Sequence, residues 1–219
     1  ENFKAAATDT TVTLSWDLNS SATCYNVEKY ENGYWYPVVG IAQNSITATK
    51  VDNLTPATTY KYRIVPSKLI GDTWVYGEPT ELTITTKPSA VTGFTNSAKS
   101  YNSLTLSWNK NASGNGYAIQ MLKNGTWTSI KYVSGNTVTS YTVTGLNPST
   151  TYSFRICAYN YAYNRYYYGA FSSSMSAITL PTSVTGLSNS AKSTNTLTLS
   201  WNRNTSATGY VIQMLKDNV

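Results

Sequence analysis

Leu54-Thr55-Pro56-Ala57-Thr58-Thr59-Tyr60 recurs as Leu146-Asn147-Pro148-Ser149-Thr150-Thr151-Tyr152, the closing tyrosine displaced by 92 positions. A pattern repeated at a domain-sized interval means that one small folding unit has been copied. Three tryptophans with matching flanks carry the register along the chain: Leu14-Ser15-Trp16, Leu106-Ser107-Trp108 and Leu199-Ser200-Trp201. On this register the copies span residues 1 to 87, 88 to 180 and 181 to 219, and the third breaks off where it aligns with the turn Asn124-Gly125 of the second. A piece below roughly 40 residues seldom folds unaided. Leu197, Leu199, Trp201, Tyr210, Ile212 and Met214 are therefore expected to seek a partner, by self-association or in neighbouring domains of a longer parent protein.

Apolar residues alternate with threonine and serine in Val12-Thr13-Leu14-Ser15-Trp16 and Leu104-Thr105-Leu106-Ser107-Trp108. That period of two is the mark of a half-buried antiparallel strand, and no stretch carries a helical period. Asn32-Gly33 and Asn124-Gly125 sit between alternating runs and supply the positive φ angles of tight hairpin turns. Each complete copy is expected to be an all-β sandwich.

The tryptophan strand, the Leu-x-Pro-x-Thr-x-Tyr pattern and the alternating run Tyr152-Ser153-Phe154-Arg155-Ile156-Cys157-Ala158 together resemble the fibronectin type III family. The resemblance covers the whole chain and implies tandem immunoglobulin-like sandwiches, two complete and a third truncated. It assigns Trp16, Trp108 and Trp201 to the core. Tyr60 and Tyr152 become corner residues whose hydroxyls bond back to nearby backbone. It also implies cores built on Val12, Leu14, Tyr25, Val27, Val51, Leu54, Tyr62 and Ile64 in the first copy. Leu104, Leu106, Tyr117, Ile119, Val143, Leu146, Phe154 and Ile156 do the same in the second. The connectors at Pro88 and Pro181 hold one proline each and little glycine, which predicts semi-rigid joints and an extended array.

Composition narrows function. The chain has no histidine, the usual side chain for acid-base work and metal binding. Residues 88 to 180 carry six lysines and arginines and no aspartate or glutamate, so neither a paired-carboxylate glycosidase site nor a strong calcium site fits there. The carboxylates of the first copy read as solvated surface charge. No catalytic residue, cofactor or metal ligand is expected. Cys24 and Cys157 fall at unrelated repeat positions in different copies and are not expected to pair. The net charge of +6 raises a polyanion partner, but Lys99, Lys110, Lys123, Lys131, Arg155 and Arg165 are dispersed with no basic run, which argues against nucleic acid. Attraction between the first copy, at net −2, and the second is a simpler use of the charge. No apolar run approaches the ~20 residues of a membrane span.

The candidate ligand-binding residues are aromatic. Tyr159-Asn160-Tyr161-Ala162-Tyr163-Asn164-Arg165-Tyr166-Tyr167-Tyr168 holds six of the 19 tyrosines, and the family's strand order makes it the connection between the last two strands, a frequent recognition loop. Tyrosine with asparagine and arginine gives stiff contact area at modest entropic cost. The competing reading is that alternate tyrosines extend a hairpin and pair across it. The equal-length stretch of the first copy is composed differently, with Trp74 near its end and Ile70-Gly71-Asp72 lacking the arginine of a receptor-binding tripeptide. Trp35 and Trp127, following the two Asn-Gly turns, form a second candidate strip for carbohydrate.

Resemblance and residues together lead to a non-catalytic extracellular array, secreted or at a cell surface. It acts as a spacer and presentation module with protein interaction or adhesion through the aromatic loop. The alternatives are a carbohydrate-binding module or the accessory region of a secreted carbohydrate-active enzyme. The Asn/Ser/Thr-rich style resembles arrays on bacterial secreted or wall-attached proteins.

Overall fold

The computed structural model describes residues 2 to 162 and 164 to 215, and among them there are strands and turns but no helix. The first copy is built from β1 (Lys4–Ala7), β2 (Val12–Ser15), β3 (Cys24–Glu31), β4 (Tyr34–Ile41), β5 (Ala48–Val51), β6 (Thr59–Ile70), β7 (Thr73–Tyr76) and β8 (Thr80–Thr85). One sheet has the order β1-β2-β5, and the facing sheet runs β4-β3-β6-β7 with β8 also pairing β6. The second copy repeats this with β9 (Thr95–Lys99), β10 (Ser103–Ser107), β11 (Gly116–Lys123), β12 (Thr126–Ser134), β13 (Ser140–Thr144), β14 (Thr151–Ala162), β15 (Arg165–Tyr168) and β16 (Met175–Ile178). Its sheets are β13-β10-β9 and β12-β11-β14-β15, with β16 on β14.

Alternation does the folding work. Val12 and Leu14 are fully buried while Thr13 faces out, and Leu104 and Leu106 do the same across Thr105. The tryptophan that follows each strand lies edge-on to a tyrosine of the facing sheet, Trp16 with Tyr25 at 5.4 Å and Trp108 with Tyr117 at 5.2 Å between ring centroids. The rest of the expected cores is buried with them, except that Leu54, Tyr60 and Tyr152 pack half-buried at the margin and Trp201 of the third copy, lacking a closed sandwich, is also only half-buried. Both Asn-Gly turns have positive φ at both residues, 50° and 90° at Asn32 and Gly33, 48° and 78° at Asn124 and Gly125. That geometry matches the twist of the strands it joins.

The repeated heptad builds the corner opposite these turns. Tyr60 Oη accepts a hydrogen bond from Thr55 N at 2.8 Å and Tyr152 Oη from Asn147 N at 2.9 Å. A buried threonine closes each corner. Thr86 Oγ1 donates to Thr55 O at 2.7 Å and accepts from Thr58 N at 2.9 Å, and Thr179 repeats this with Asn147 O and Thr150 N.

In the third copy β17 (Ser188–Lys192) and β18 (Leu197–Ser200) form a hairpin, and Trp201 keeps its edge-on contact with Tyr210 at 5.3 Å. Residues 209 to 215, which match β11 in sequence, are in no strand. β11 is held by β12 on one side and β14 on the other, and no counterpart of either lies among the described residues.

Candidate functional site

On β14 the side chains of Phe154, Ile156 and Ala158 enter the core, so Arg155, Cys157, Tyr159 and Tyr161 point to the outer face of the sheet. β14 outruns β11, whose last rung is Gly116 opposite Tyr159, and continues as a two-stranded arm with β15. The tyrosine-rich segment is thus a paired hairpin over most of its length and not an open loop, because every residue from Tyr159 to Ala162 has a ladder partner from Arg165 to Tyr168. Asn115 adds one more rung with its side chain, Oδ1 accepting from Tyr161 N at 3.0 Å and Nδ2 donating to Tyr161 O at 3.2 Å.

Pairing sorts the candidate residues. Tyr159 lies opposite Tyr168 and Tyr161 opposite Tyr166, so these four share the outer face. Asn160 and its partner Tyr167 take the other face, as does Arg165 next to Tyr166, which separates Tyr167 and Arg165 from the group. Tyr163 lies outside the described residues. A fifth ring joins from β12: Tyr132 stands 5.2 Å from Tyr166 and 6.0 Å from Tyr159. Tyr166 sits at the centre of the group, 4.6 Å from Tyr161, 5.0 Å from Tyr159 and stacked within 12° of parallel on Tyr168 at 5.7 Å. Asn115, Tyr132, Ser134, Gly135, Tyr159, Tyr161 and Tyr166 enclose an open cleft of about 560 Å³.

The hydroxyls hold the rings in place. Tyr159 Oη donates to Val133 O at 3.2 Å, Tyr161 Oη donates to Asn164 Oδ1 at 2.5 Å, and Tyr132 and Tyr168 share a hydrogen bond at 3.1 Å. Burial raises the Tyr159 pKa above its ordinary value, with Tyr166 and Tyr132 adding to the shift. No lining residue carries a charge, so the cleft can stack, exclude water and accept hydrogen bonds. Its side chains do not supply an acid-base pair.

Tyr132 is absent from the sequence-derived candidates, for a structural reason. Counting back from the Asn124-Gly125 turn would set Lys131 opposite Ala118, but a bulge between Ile119 and Gln120 shifts the register by one and puts Tyr132 there. β3 and β4 carry the same irregularity between Val27 and Glu28. The shift lies in the pairing of β11 with β12 and leaves no mark in the local alternation of either strand.

The tryptophan strip is already occupied. The Arg155 guanidinium lies over Trp127 at 4.6 Å and over Phe171 at 4.2 Å, and its Nε donates to Gln120 Oε1 at 2.8 Å. Arg63 covers Trp35 at 4.5 Å and pairs with Glu28 at 2.5 Å. Trp35 and Trp127 are half-buried and give these faces to arginine, not to an open carbohydrate surface. Trp74, opposite Leu69 on the first-domain arm, is exposed, but Ser67 and Leu69 stand where the second domain has Tyr159 and Tyr161. A cleft of about 510 Å³ beside that arm is lined by Asn26, Glu28, Arg63 and Tyr76, its two charges spent on each other. Ion pairs among the described residues lie within the first domain, so they give no support to attraction between copies. Cys24 and Cys157 are both free, and no cluster of three metal-ligating side chains occurs among the described residues.

Residues 89–175 match the family model of the fibronectin type III domain. Receptor-type tyrosine-protein phosphatase eta of Gallus gallus is 29% identical over 163 residues, covering 72% of this chain. The chain spans 11% of that relative's length. A two-domain fibronectin type III segment of chicken tenascin is 21% identical, covers 81% of this chain and 97% of its own, with a TM-score of 0.49. The FN1–FN3 domains of chicken CNTN1 are 21% identical over 94% of this chain and 75% of theirs, with a TM-score of 0.39. The phosphatase relative is an animal protein and lends no support to a bacterial source. With the family match on the second copy and the same strand order in the first, the chain carries fibronectin type III β-sandwich domains in tandem.

Proposed function

We propose that this chain is a non-catalytic stretch of an extracellular adhesion or interaction protein, in which the second domain displays a recognition face and the neighbouring domains space and present it. The observation that carries this reading is the tyrosine cleft. Five rings converge on one outer face of the second domain, while the first domain uses the same strand frame with different residues there. Variation at one site on a repeated scaffold is how this architecture acquires binding specificity. Tyrosine supplies large, stiff contact area, and half-exposed rings leave it available. A non-catalytic role is supported by a second domain without histidine, aspartate or glutamate. An extracellular setting is supported by the match to a receptor-type relative. Among the described residues no helix is long and apolar enough to cross a membrane.

Capture of extracellular-matrix protein and polysaccharide preparations on the immobilised chain tests the reading. Retention of a component is expected to weaken roughly tenfold in Tyr161→Ala/Tyr166→Ala and to persist in Tyr167→Ala, whose ring lies on the opposite face. Retention that ignores the cleft substitutions, or no retention at all, defeats it.

A further inference from the structure

Resting on the reading of the cleft as a recognition face, we infer that its ligand is a neutral polysaccharide, bound by stacking of sugar rings on Tyr161, Tyr166 and Tyr132. The argument is one of hydrogen-bond and charge complementarity. The protons of Tyr159 and Tyr161 are committed to Val133 O and Asn164 Oδ1, and one proton is committed between Tyr132 and Tyr168. The Asn115 carboxamide is committed at both ends to the backbone of Tyr161, and Gly135 N donates to Asn115 O. Beyond these commitments the cleft presents aromatic faces, phenolic oxygen lone pairs and the hydroxyls of Tyr166 and Ser134, groups that both accept and donate.

A ligand for such a surface must bring an apolar face together with groups that donate as well as accept. A sugar ring does both, with hydroxyls that donate to phenolic oxygens and C–H groups that meet the negative face of an aromatic ring. A proline-rich peptide in the polyproline conformation matches only half of this, since it offers carbonyl acceptors but few donors and would leave the phenolic lone pairs unpaired. Charge excludes the other classes. The second domain has no carboxylate to hold a cationic ligand. The cations nearest in sequence to the rings are turned elsewhere, Arg165 to the opposite face of the arm and Lys131 towards Tyr141 at 5.6 Å, so an anionic polymer meets no counter-charge in the cleft lining. The grouping of rings at 4.6 to 5.7 Å around Tyr166 offers stacking surface to more than one sugar unit, which favours a chain over a monosaccharide.

Native electrophoresis of the full chain through gels containing galactomannan, mixed-linkage β-glucan or methylcellulose tests the assignment, with heparin gels and a fluorescent proline-rich peptide as the other arms. Retardation in at least one neutral polymer is expected, insensitive to added salt, about tenfold weaker in Tyr161→Ala and unchanged in Tyr167→Ala. Tyr161 is exposed, and an unaltered thermal midpoint shows that its variant folds. Several results overturn the assignment: no neutral polymer retards the chain, retardation occurs only in heparin and vanishes with salt, the peptide alone binds, or Tyr161→Ala retards as the parent does. If Tyr161→Ala abolishes capture of a matrix protein while neutral polymers fail, the glycan assignment falls and the recognition face stands. If neither responds, both fall.

Discussion

Gly116 begins β11 without a side chain because the Tyr159 ring and the Val133 carbonyl occupy the space a Cβ would need, the latter at 2.6 Å. The first copy has the complementary pair, Cys24 with Ser67, whose side chains meet at 3.2 Å. Small against large has been exchanged for medium against small, and that exchange admits the tyrosine. Gly116→Ala is expected to cost about 1 to 3 kcal/mol by overpacking. Adding Tyr159→Ser should recover only part, since the carbonyl contact remains; urea denaturation of the three variants reads the cycle. Tyr62 is a second residue with a measurable signature. Its hydroxyl is fully buried without a partner, and burial, with Tyr60 second, pushes its pKa from 10.0 to about 12. Burial pushes the Cys157 thiol from 9.0 to about 12, partly offset by Ala118 and Arg155. Both groups release protons more readily when unfolded. Their contribution to stability is complete below the unfolded pKa values and is lost as pH climbs from there through about 12. The urea midpoint should fall between about pH 9 and about pH 12, and less steeply in Tyr62→Phe, which also frees the core of an unpaired hydroxyl.

At the scale of elements, the segment between β10 and β11 is organised by Asn111, a buried polar residue that periodicity gives no reason to single out. Its Oδ1 accepts from Ser113 N, Ser113 Oγ and Gly114 N, and its Nδ2 donates to Ser89 O at 2.8 Å. Asn204 repeats the arrangement with Ser206 and Thr182 O. Asn111→Ala leaves several buried donors without acceptors and is expected to cost roughly 2 to 3 kcal/mol, read by thermal or urea unfolding. Hydrogen exchange should rise first at Ser113 and Gly114. Asn111 is buried although its neighbours Lys110 and Ala112 are exposed, so its side chain serves this turn and not the surface.

For the molecule as a whole, the joints and the third copy matter most. Lys87 N donates to Thr8 O at 2.8 Å, and Ser89 N to Ser113 Oγ at 2.8 Å, so Pro88 is the one residue between anchored neighbours. It is itself buried, with Gly169 packed on its carbonyl where a Cβ would come within 2.6 Å. Pro181 sits likewise between Leu180, bonded to Ser100 O, and Thr182, bonded to Ser206 Oγ. A proline with fixed φ between two pinned residues leaves little backbone freedom. The third copy has no such closure: Val211, Met214 and Leu215 are 80% exposed or more. Sedimentation of the 219-residue chain is expected to show concentration-dependent association, and a chain ending at residue 180 to run as a monomer. A clean monomer for the full chain, with residues past 180 protected from protease, would contradict this.

The repeat register, the all-β class, the hairpin turns and the core positions were legible in the residues, because period-two burial and Asn-Gly geometry are local signals that each copy restates. The corner roles of Tyr60 and Tyr152 came instead from the resemblance to the fibronectin type III family, and the hydroxyl bonds to Thr55 N and Asn147 N match them. The tyrosine segment was conspicuous in composition, but which of its rings share a face was decided by strand pairing, which sets Tyr166 beside Tyr161 and turns Tyr167 and Arg165 away. Tyr132 and Asn115 entered the site through a bulge and a side-chain rung, and arginines withdrew Trp35 and Trp127 from it. Local sequence determines how a strand alternates, whereas register between strands far apart in the chain is a tertiary quantity, and a shift of one residue changes which side chains meet.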